Sequence, residues 1–282
     1  MNRRHFLMSG AVAAAGAAVG VVGYTLRVEP HWLEIVHRDL PIAHLPAELH
    51  GKTLAQISDI HIGPDVSDEY LIHSFDRLRA FAPDIVVVTG DFLTHKVNRG
   101  DEQFVQLRKM LSHLPHGRLA TAGILGNHDY GRGWAQPDVA NRVAQEAGDA
   151  GIVILRNEVH TVAGLDIIGV DDLWADHSDT TRALAARRSH ASIALCHNPD
   201  GLDLLPWGDY AGWVLAGHTH GGQCKPPFLP PPLLPVANRR YIAGEVVVNS
   251  KRTLYISRGV GHLVQARFNV RPEITLFTLR AA

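Results

Sequence analysis

Five short apolar runs punctuate the chain, and each ends in a carboxylate, amide or imidazole. Residues 53–58 (Thr-Leu-Ala-Gln-Ile-Ser) lead into Asp59-Ile60-His61, 85–89 (Ile-Val-Val-Val-Thr) into Gly90-Asp91, and 119–125 into Gly126-Asn127-His128-Asp129. Further on, 193–196 lead into His197-Asn198-Pro199 and 213–216 into Gly217-His218-Thr219-His220. Runs this short, aliphatic or β-branched and bounded by glycine and polar residues, predict buried strands. Between them, Leu71, Ile72, Phe75, Leu78 and Phe81 recur at helical spacing over 68–81, stopped by Pro83. Phe104, Val105, Leu107, Leu111 and Leu114 repeat that spacing over 101–114. Helices are also expected near 139–150 and 180–188, an edge strand at 32–36, and short strands at 153–155, 159–162, 165–170, 245–248, 253–257 and 274–279. Alternating strands and helices followed by a β-rich last third predict an α/β fold with a second sheet packed on the first. Ligands of open α/β sheets bind outside the carboxyl ends of the strands. Five polar strand ends therefore imply one site, organised around the Gly-Asn-His-Asp turn.

Composition narrows this. A chain of 282 residues with 46% hydrophobic and 20% charged residues can bury a full core. A formal net charge of −1 gives no basic excess for neutralising phosphates, so no nucleic-acid partner is expected. Histidine is abundant at 18 residues, several of them in the strand-end clusters, where neutral imidazole is a common metal ligand. Cys196 and Cys224 form no Cys-x-x-Cys spacing, which argues against a thiolate zinc site; whether they pair is left open by their positions.

Two segments stand apart. Residues 1–26 read as an export signal or N-terminal anchor: Arg3-Arg4 precede His5-Phe6-Leu7 and a long uncharged stretch of Ala, Gly and Val, which resembles a twin-arginine signal and implies the export machinery that reads it. The protein is expected outside the cytoplasm, in the periplasm, cell wall or outer membrane face, with a retained anchor as the other outcome. Residues 225–235, Lys-Pro-Pro-Phe-Leu-Pro-Pro-Pro-Leu-Leu-Pro, favour extended backbone and are read as a stiff surface loop, a groove lining or a lipid contact.

Taken in order, Asp-x-His, Gly-Asp, Gly-Asn-His-Asp, His and Gly-His-x-His resemble the calcineurin-like metallophosphoesterase family. The stretch Gly217-His218-Thr219-His220-Gly221-Gly222-Gln223, with Ser257-Arg258-Gly259-Val260-Gly261 and Arg271-Pro272-Glu273-Ile274, is similar to its exported branch of small bacterial phosphoesterases. The resemblance implies a four-layer αββα sandwich over 27–282, with two mostly mixed sheets flanked by helices. It implies two divalent metal ions. Asp59, His61 and His220 would bind one, Asn127, His197 and His218 the other, and Asp91 would bridge them. Carboxylate, imidazole and amide-oxygen ligands together suit Mn, Fe or Zn. The ions would lower the pKa of a bound water, and the resulting hydroxide would attack phosphorus in line.

His128, beside a ligand but not one itself, is a candidate as imidazolium to protonate or hydrogen-bond to the leaving oxygen, with Asp129 holding its ring or serving as a turn carboxylate. Arg258 is a candidate for phosphate binding, against a structural ion pair; Asp171 and Asp172 are candidates to support the ligands, against solvated turn acids. The expected activity is a metal-dependent phosphoesterase, read as a phosphodiesterase. A lipid-linked nucleotide-sugar pyrophosphohydrolase is the alternative among enzymes. A non-catalytic metal-binding scaffold is the alternative of another class; it predicts lost ligands or a replaced His128, and the sequence has neither.

Overall fold

The computed structural model describes residues 3–94 and 100–282; the side chains of 3–7, 10 and 11 lie outside the description, and with them the Arg3-Arg4 pair. A helix, α1 (Arg3–Gly23), precedes the folded body. The first half then runs β1 (Glu34–Ile42), β2 (Thr53–Ile57), α2 (Asp68–Arg79), β3 (Ile85–Thr89), α3 (Glu102–Leu111), β4 (Ala120–Ile124), α4 (Pro137–Asp149) and β5 (Val153–Ile154). The second runs β6 (Glu158–Val162), β7 (Leu165–Val170), α5 (Thr180–Ala185), β8 (Ser192–Cys196), α6 (Gly201–Leu204), β9 (Gly212–Ala216), β10 (Gly244–Val247), β11 (Arg252–Ile256) and β12 (Glu273–Ala281).

These strands form two six-stranded sheets, ordered β1-β12-β2-β3-β4-β5 and β10-β11-β9-β8-β7-β6. Each sheet is mixed: β2 to β5 are parallel with β12 antiparallel to β2, and β7, β8, β9 and β11 are parallel with antiparallel β6 and β10 outside them. The second sheet thus begins at Glu158, and the last strand returns to the first sheet between β1 and β2 instead of joining its sequence neighbours. Residues 34–42 form the expected edge strand, longer than the 32–36 run suggests because β12 pairs with it along nine residues.

Burial explains the near-continuous apolar strands. In β3, Ile85 and Val87 face the layer between the sheets, while Val86 and Val88 face the helices; β8 divides Ile193 and Leu195 from Ala194 and Cys196 in the same way. A strand covered on both faces has no polar side to alternate with. Leu71, Phe75 and Leu78 of α2 are fully buried against the outer face of the first sheet, and Ser67 caps the helix by accepting the Tyr70 N–H at 3.2 Å. Layers of helix, sheet, sheet and helix result, and the carboxyl ends of β2, β3, β4, β8 and β9 meet along one seam. Both cysteines are free thiols.

Candidate metal centre

Three of the five loops that leave these strand ends do so in unusual conformations. Asp59, His61, Asp91, His218 and His220 all have φ between 50° and 70°, the left-handed region that L-residues seldom adopt. Each tight reversal turns its side chain back over the strand end. Strain of this kind persists where the surrounding structure enforces it. Gly217 permits one of these approaches: a Cβ there would meet Ser58 Oγ at 2.0 Å and Asp59 Oδ2 at 2.3 Å.

The ligand-type atoms of Asp59, His61 and His220 lie within 4.8 Å of one another, and so do those of Asp91, His197 and His218. Asp91 stands between the groups, its Oδ2 3.6 Å from His61 Nε2 and 3.2 Å from His197 Nε2. Asn127 joins the second group, with Oδ1 3.0 Å from His218 Nδ1. All seven residues are buried.

The hydrogen bonds around them fit a pair of cations. His197 donates Nδ1–H to the Thr89 carbonyl at 2.7 Å, which turns Nε2 toward Asp91. His218 donates Nε2–H to the Pro235 carbonyl at 3.0 Å, so its Nδ1 is an acceptor pointed at the acceptor Oδ1 of Asn127. His61 Nε2 and His220 Nε2 face each other at 3.0 Å. Nitrogen or oxygen lone pairs meeting this closely need a proton or a metal between them, and fixing a ring through its other nitrogen is how metal-binding histidines are oriented.

Charge follows the same geometry. Burial pushes Asp59 up to about 6, with Asp91 adding to the rise and His197 opposing it. Burial also disfavours the charge of Asp91, yet His197 and His128 hold its carboxyl well below the usual range. For His197, burial works against protonation, but Asp91, Asp59 and Asp172 raise it well above the ordinary histidine value. Burial lowers His61, and takes His218 down to about 3. Neutral His61 and His218 beside ionised Asp91 are in the state a metal ion requires, while a proton on His197 would have to leave before an ion binds there.

Around this set, His128 donates its backbone N–H to Asp91 Oδ1 at 2.9 Å and lies edge-on to His61, with ring centroids 5.0 Å apart. Asp129 is fully buried and accepts from the Gly126 and Leu93 amides at 2.9 and 3.0 Å, tying the Asn127 turn to the Asp91 loop. That is the turn-carboxylate geometry. Burial and then Asp91 push it up to about 7. Arg258 bonds Glu273 through Nε and Glu34 through Nη2 at 3.0 Å, so its guanidinium is engaged in an ion-pair network. Asp171 accepts from the Tyr130 hydroxyl at 2.5 Å and Arg156 at 2.8 Å, bracing the loop that carries Asn127; buried Asp172 is pushed up to about 6 by burial. Asn198 accepts the Asp200 amide at 3.0 Å and shapes its turn.

Sequence reasoning missed two kinds of neighbour. The carbonyls of Thr89 and Pro235 orient His197 and His218, and a backbone acceptor leaves no mark in residue type. Trp174 packs against His218 and Trp134 against Trp174, a juxtaposition of two distant turns.

A family model described as calcineurin-like phosphoesterase matches residues 52–222. The uncharacterized metallophosphoesterase YkuE of Bacillus subtilis is 33% identical over 100% of this chain and 98% of its own. Phosphodiesterase YaeI of Escherichia coli is 28% identical over 99% of each. UDP-2,3-diacylglucosamine pyrophosphatase LpxG of Chlamydia muridarum is 26% identical over 88% of this chain and 90% of its own. The family match spans every one of the seven convergent side chains, and this chain belongs to the calcineurin-like phosphoesterase family of metal-dependent phosphoester hydrolases.

Proposed function

We propose that the protein is a dinuclear phosphodiesterase. Asp59, His61 and His220 hold one ion, Asn127, His197 and His218 the other, and Asp91 contacts both. The observation that carries this reading is the pair of oriented imidazoles, His197 and His218, whose other ring nitrogens converge on Asp91 and Asn127. When bound, a metal pair supplies Lewis acidity and an activated water for P–O hydrolysis. The mixed donor set favours Mn, Fe or Zn. The chain's own residues do the rest. His128 holds Asp91 through its amide and presents its ring beside His61, where it donates a proton to the departing ester oxygen. Asp129 fixes the turn from which His128 projects.

The test is hydrolysis of paired chromogenic phosphate monoester and diester substrates by metal-stripped protein restored with Mn, Zn or Fe, beside Asp91→Ala and His128→Ala. Metal-dependent diester turnover lost in both variants supports the reading. Binding of two metals without cleavage of any ester would leave a metal-binding scaffold in its place.

A second reading, hydrolysis of a lipid-linked nucleotide-sugar diphosphate, is favoured by the apolar surface beside the centre. The segment Val12–His31 is long and apolar enough to cross a membrane, with mean hydropathy 1.3, and is mostly exposed. Its root at Tyr24 packs on Phe268, and Phe228, Leu229 and Leu233 of the proline-rich loop stand out into solvent. That loop reaches the centre at Pro235, the acceptor for His218. These features support an enzyme anchored by residues 1–26 with the loop in lipid contact, while export through the twin-arginine machinery is supported by the Arg3-Arg4 sequence alone. Fractionation of cells expressing the chain and its Arg3→Lys, Arg4→Lys form checks the route.

A further inference from the structure

Two tryptophans border the metal centre without belonging to the core or to the ligand set. Trp174 sets its ring edge-on to His218, centroids 4.4 Å apart and planes at 88°. Trp134 lies against Trp174 at 4.5 Å and 34°. Trp134 is 36% exposed and Trp174 half-buried, so the pair reaches solvent one ring away from a ligand-type histidine.

The other tryptophans are used differently. Trp207 and Trp213 donate Nε1–H to the Gly201 and Pro41 carbonyls at 2.9 and 2.8 Å, and Trp32 lies under the Arg271 guanidinium. Among the described residues, neither Trp134 nor Trp174 gives its indole N–H to a protein acceptor. The turns that carry both are closed by hydrogen bonds nonetheless. Trp134 has φ 60°, a conformation costly for a bulky residue. Its turn is closed by Trp134 N–H to Gly131 O at 3.1 Å, Gln136 N–H to Tyr130 O at 2.8 Å and Arg132 N–H to Gln136 Oε1 at 2.7 Å. The Trp174 turn is clamped by Asp172, whose carboxylate accepts Ala175 N–H at 2.8 Å and whose carbonyl accepts His177 N–H at 3.1 Å. One turn continues from His128-Asp129-Tyr130 and the other closes β7, so both are anchored to the loops of the centre. Strained backbone and exposed aromatic surface each cost free energy, and their coincidence beside reacting groups points to a ligand.

We propose that Trp134 and Trp174 form a stacking platform for a planar ring carried by the substrate, so that the site selects phosphoesters bearing a nucleobase over aliphatic phosphates of equal charge. Bases of every kind stack on indole, so the platform selects for a ring and tolerates its identity. The unspent N–H groups add donors at its edge. This rests on the phosphoesterase reading of the centre, and the test separates the two.

Calorimetry on the full chain loaded with Mn or Zn gives Kd for uridine 5′-monophosphate, adenosine 5′-monophosphate and ribose 5-phosphate, with tryptophan emission followed in parallel. Both nucleotides are expected to bind on the order of tenfold more tightly than ribose 5-phosphate and to quench emission. Trp134→Ala should bring that ratio close to one and remove most of the quenching, while Trp134→Phe, which keeps a ring, retains most of the ratio. Equal affinity of wild type for nucleotide and ribose phosphate, or a nucleotide preference that survives Trp134→Ala, overturns the proposal. A chain that prefers nucleotides through Trp134 yet cleaves no ester refutes the catalytic reading and leaves the platform standing. A chain that cleaves esters without any nucleotide preference refutes the platform alone.

Discussion

Gly126 ends the β4 run and begins the Asn127–Tyr130 turn, with φ −109° and ψ 177°, a backbone that any residue adopts. What demands glycine is Asp91. A Cβ at position 126 would meet Asp91 Oδ1 at 2.3 Å, its amide nitrogen at 2.6 Å and its Cγ at 2.8 Å. Unstrained contacts of carbon with a heavy atom lie near 3.5 Å, so Gly126→Ala must displace the carboxylate or the turn by roughly 1 Å. The two cannot separate easily, because Asp91 Oδ1 also accepts the His128 N–H at 2.9 Å. A misplacement of about 1 Å at a reacting centre costs on the order of 10²-fold in kcat. Overpacking costs about 1–3 kcal/mol of stability. Since Asp91 faces both ligand groups, metal content should fall at both. The assay is metal per chain after equilibrium dialysis, kcat on a chromogenic diester and a thermal melt, all beside Gly148→Ala in α4, where a Cβ meets nothing within 4 Å. Gly126→Ala that keeps two metals and a kcat within about threefold of wild type would refute the steric reasoning.

Other expectations follow from the same geometry. His128→Gln keeps side-chain bulk and removes the transferable proton, so kcat should fall on the order of 10²–10⁴-fold with metal content unchanged; a loss under about fivefold takes His128 out of proton transfer. Arg258→Ala strips Glu273 and Glu34 of their shared cation and should lower stability by roughly 1–3 kcal/mol with KM for a phosphate ester nearly constant. The reverse pattern, raised KM and an unchanged melt, would restore Arg258 as a phosphate ligand. Metal affinity should weaken with acidification: burial puts Asp59 at about 6 in the metal-free chain, and a proton there must leave before an ion binds, so the metal Kd rises as pH falls through that value. Titration calorimetry at several pH values checks this, and a Kd that stays level into the acid range contradicts it.

The site was legible because its ligands abut strands that carry an unmistakable signature. Runs such as Ile85–Thr89 are apolar on both faces and stop abruptly, and the polar residues just past their ends are the ones that converge. Topology was less legible. Nothing in Glu273–Ala281 says that it pairs with β1 and β2 instead of with nearby β11, because strand partners are chosen by packing across the whole fold. Arg258 shows a related gap: the sequence left it open between phosphate binding and an ion pair, because one of its partners, Glu34, is 224 positions away. The tryptophan platform was invisible for the same reason, being formed by residues 134 and 174 from separate turns.

The position of β12 has a consequence for how the protein is made. Among the described residues it is the one strand paired with β1, and it covers the open side of β2, the strand whose loop carries Asp59 and His61. A nascent chain still lacking Glu273–Ala281 leaves β1 without a neighbour and β2 as a bare apolar edge, the kind of surface that recruits wrong partners. Every residue proposed to hold a metal precedes Glu273–Ala281 in the chain, so all of them are made before the strand that covers β2. The centre is therefore complete only once Glu273–Ala281 has docked, and until then the β2 edge beside Asp59 and His61 is open to wrong partners.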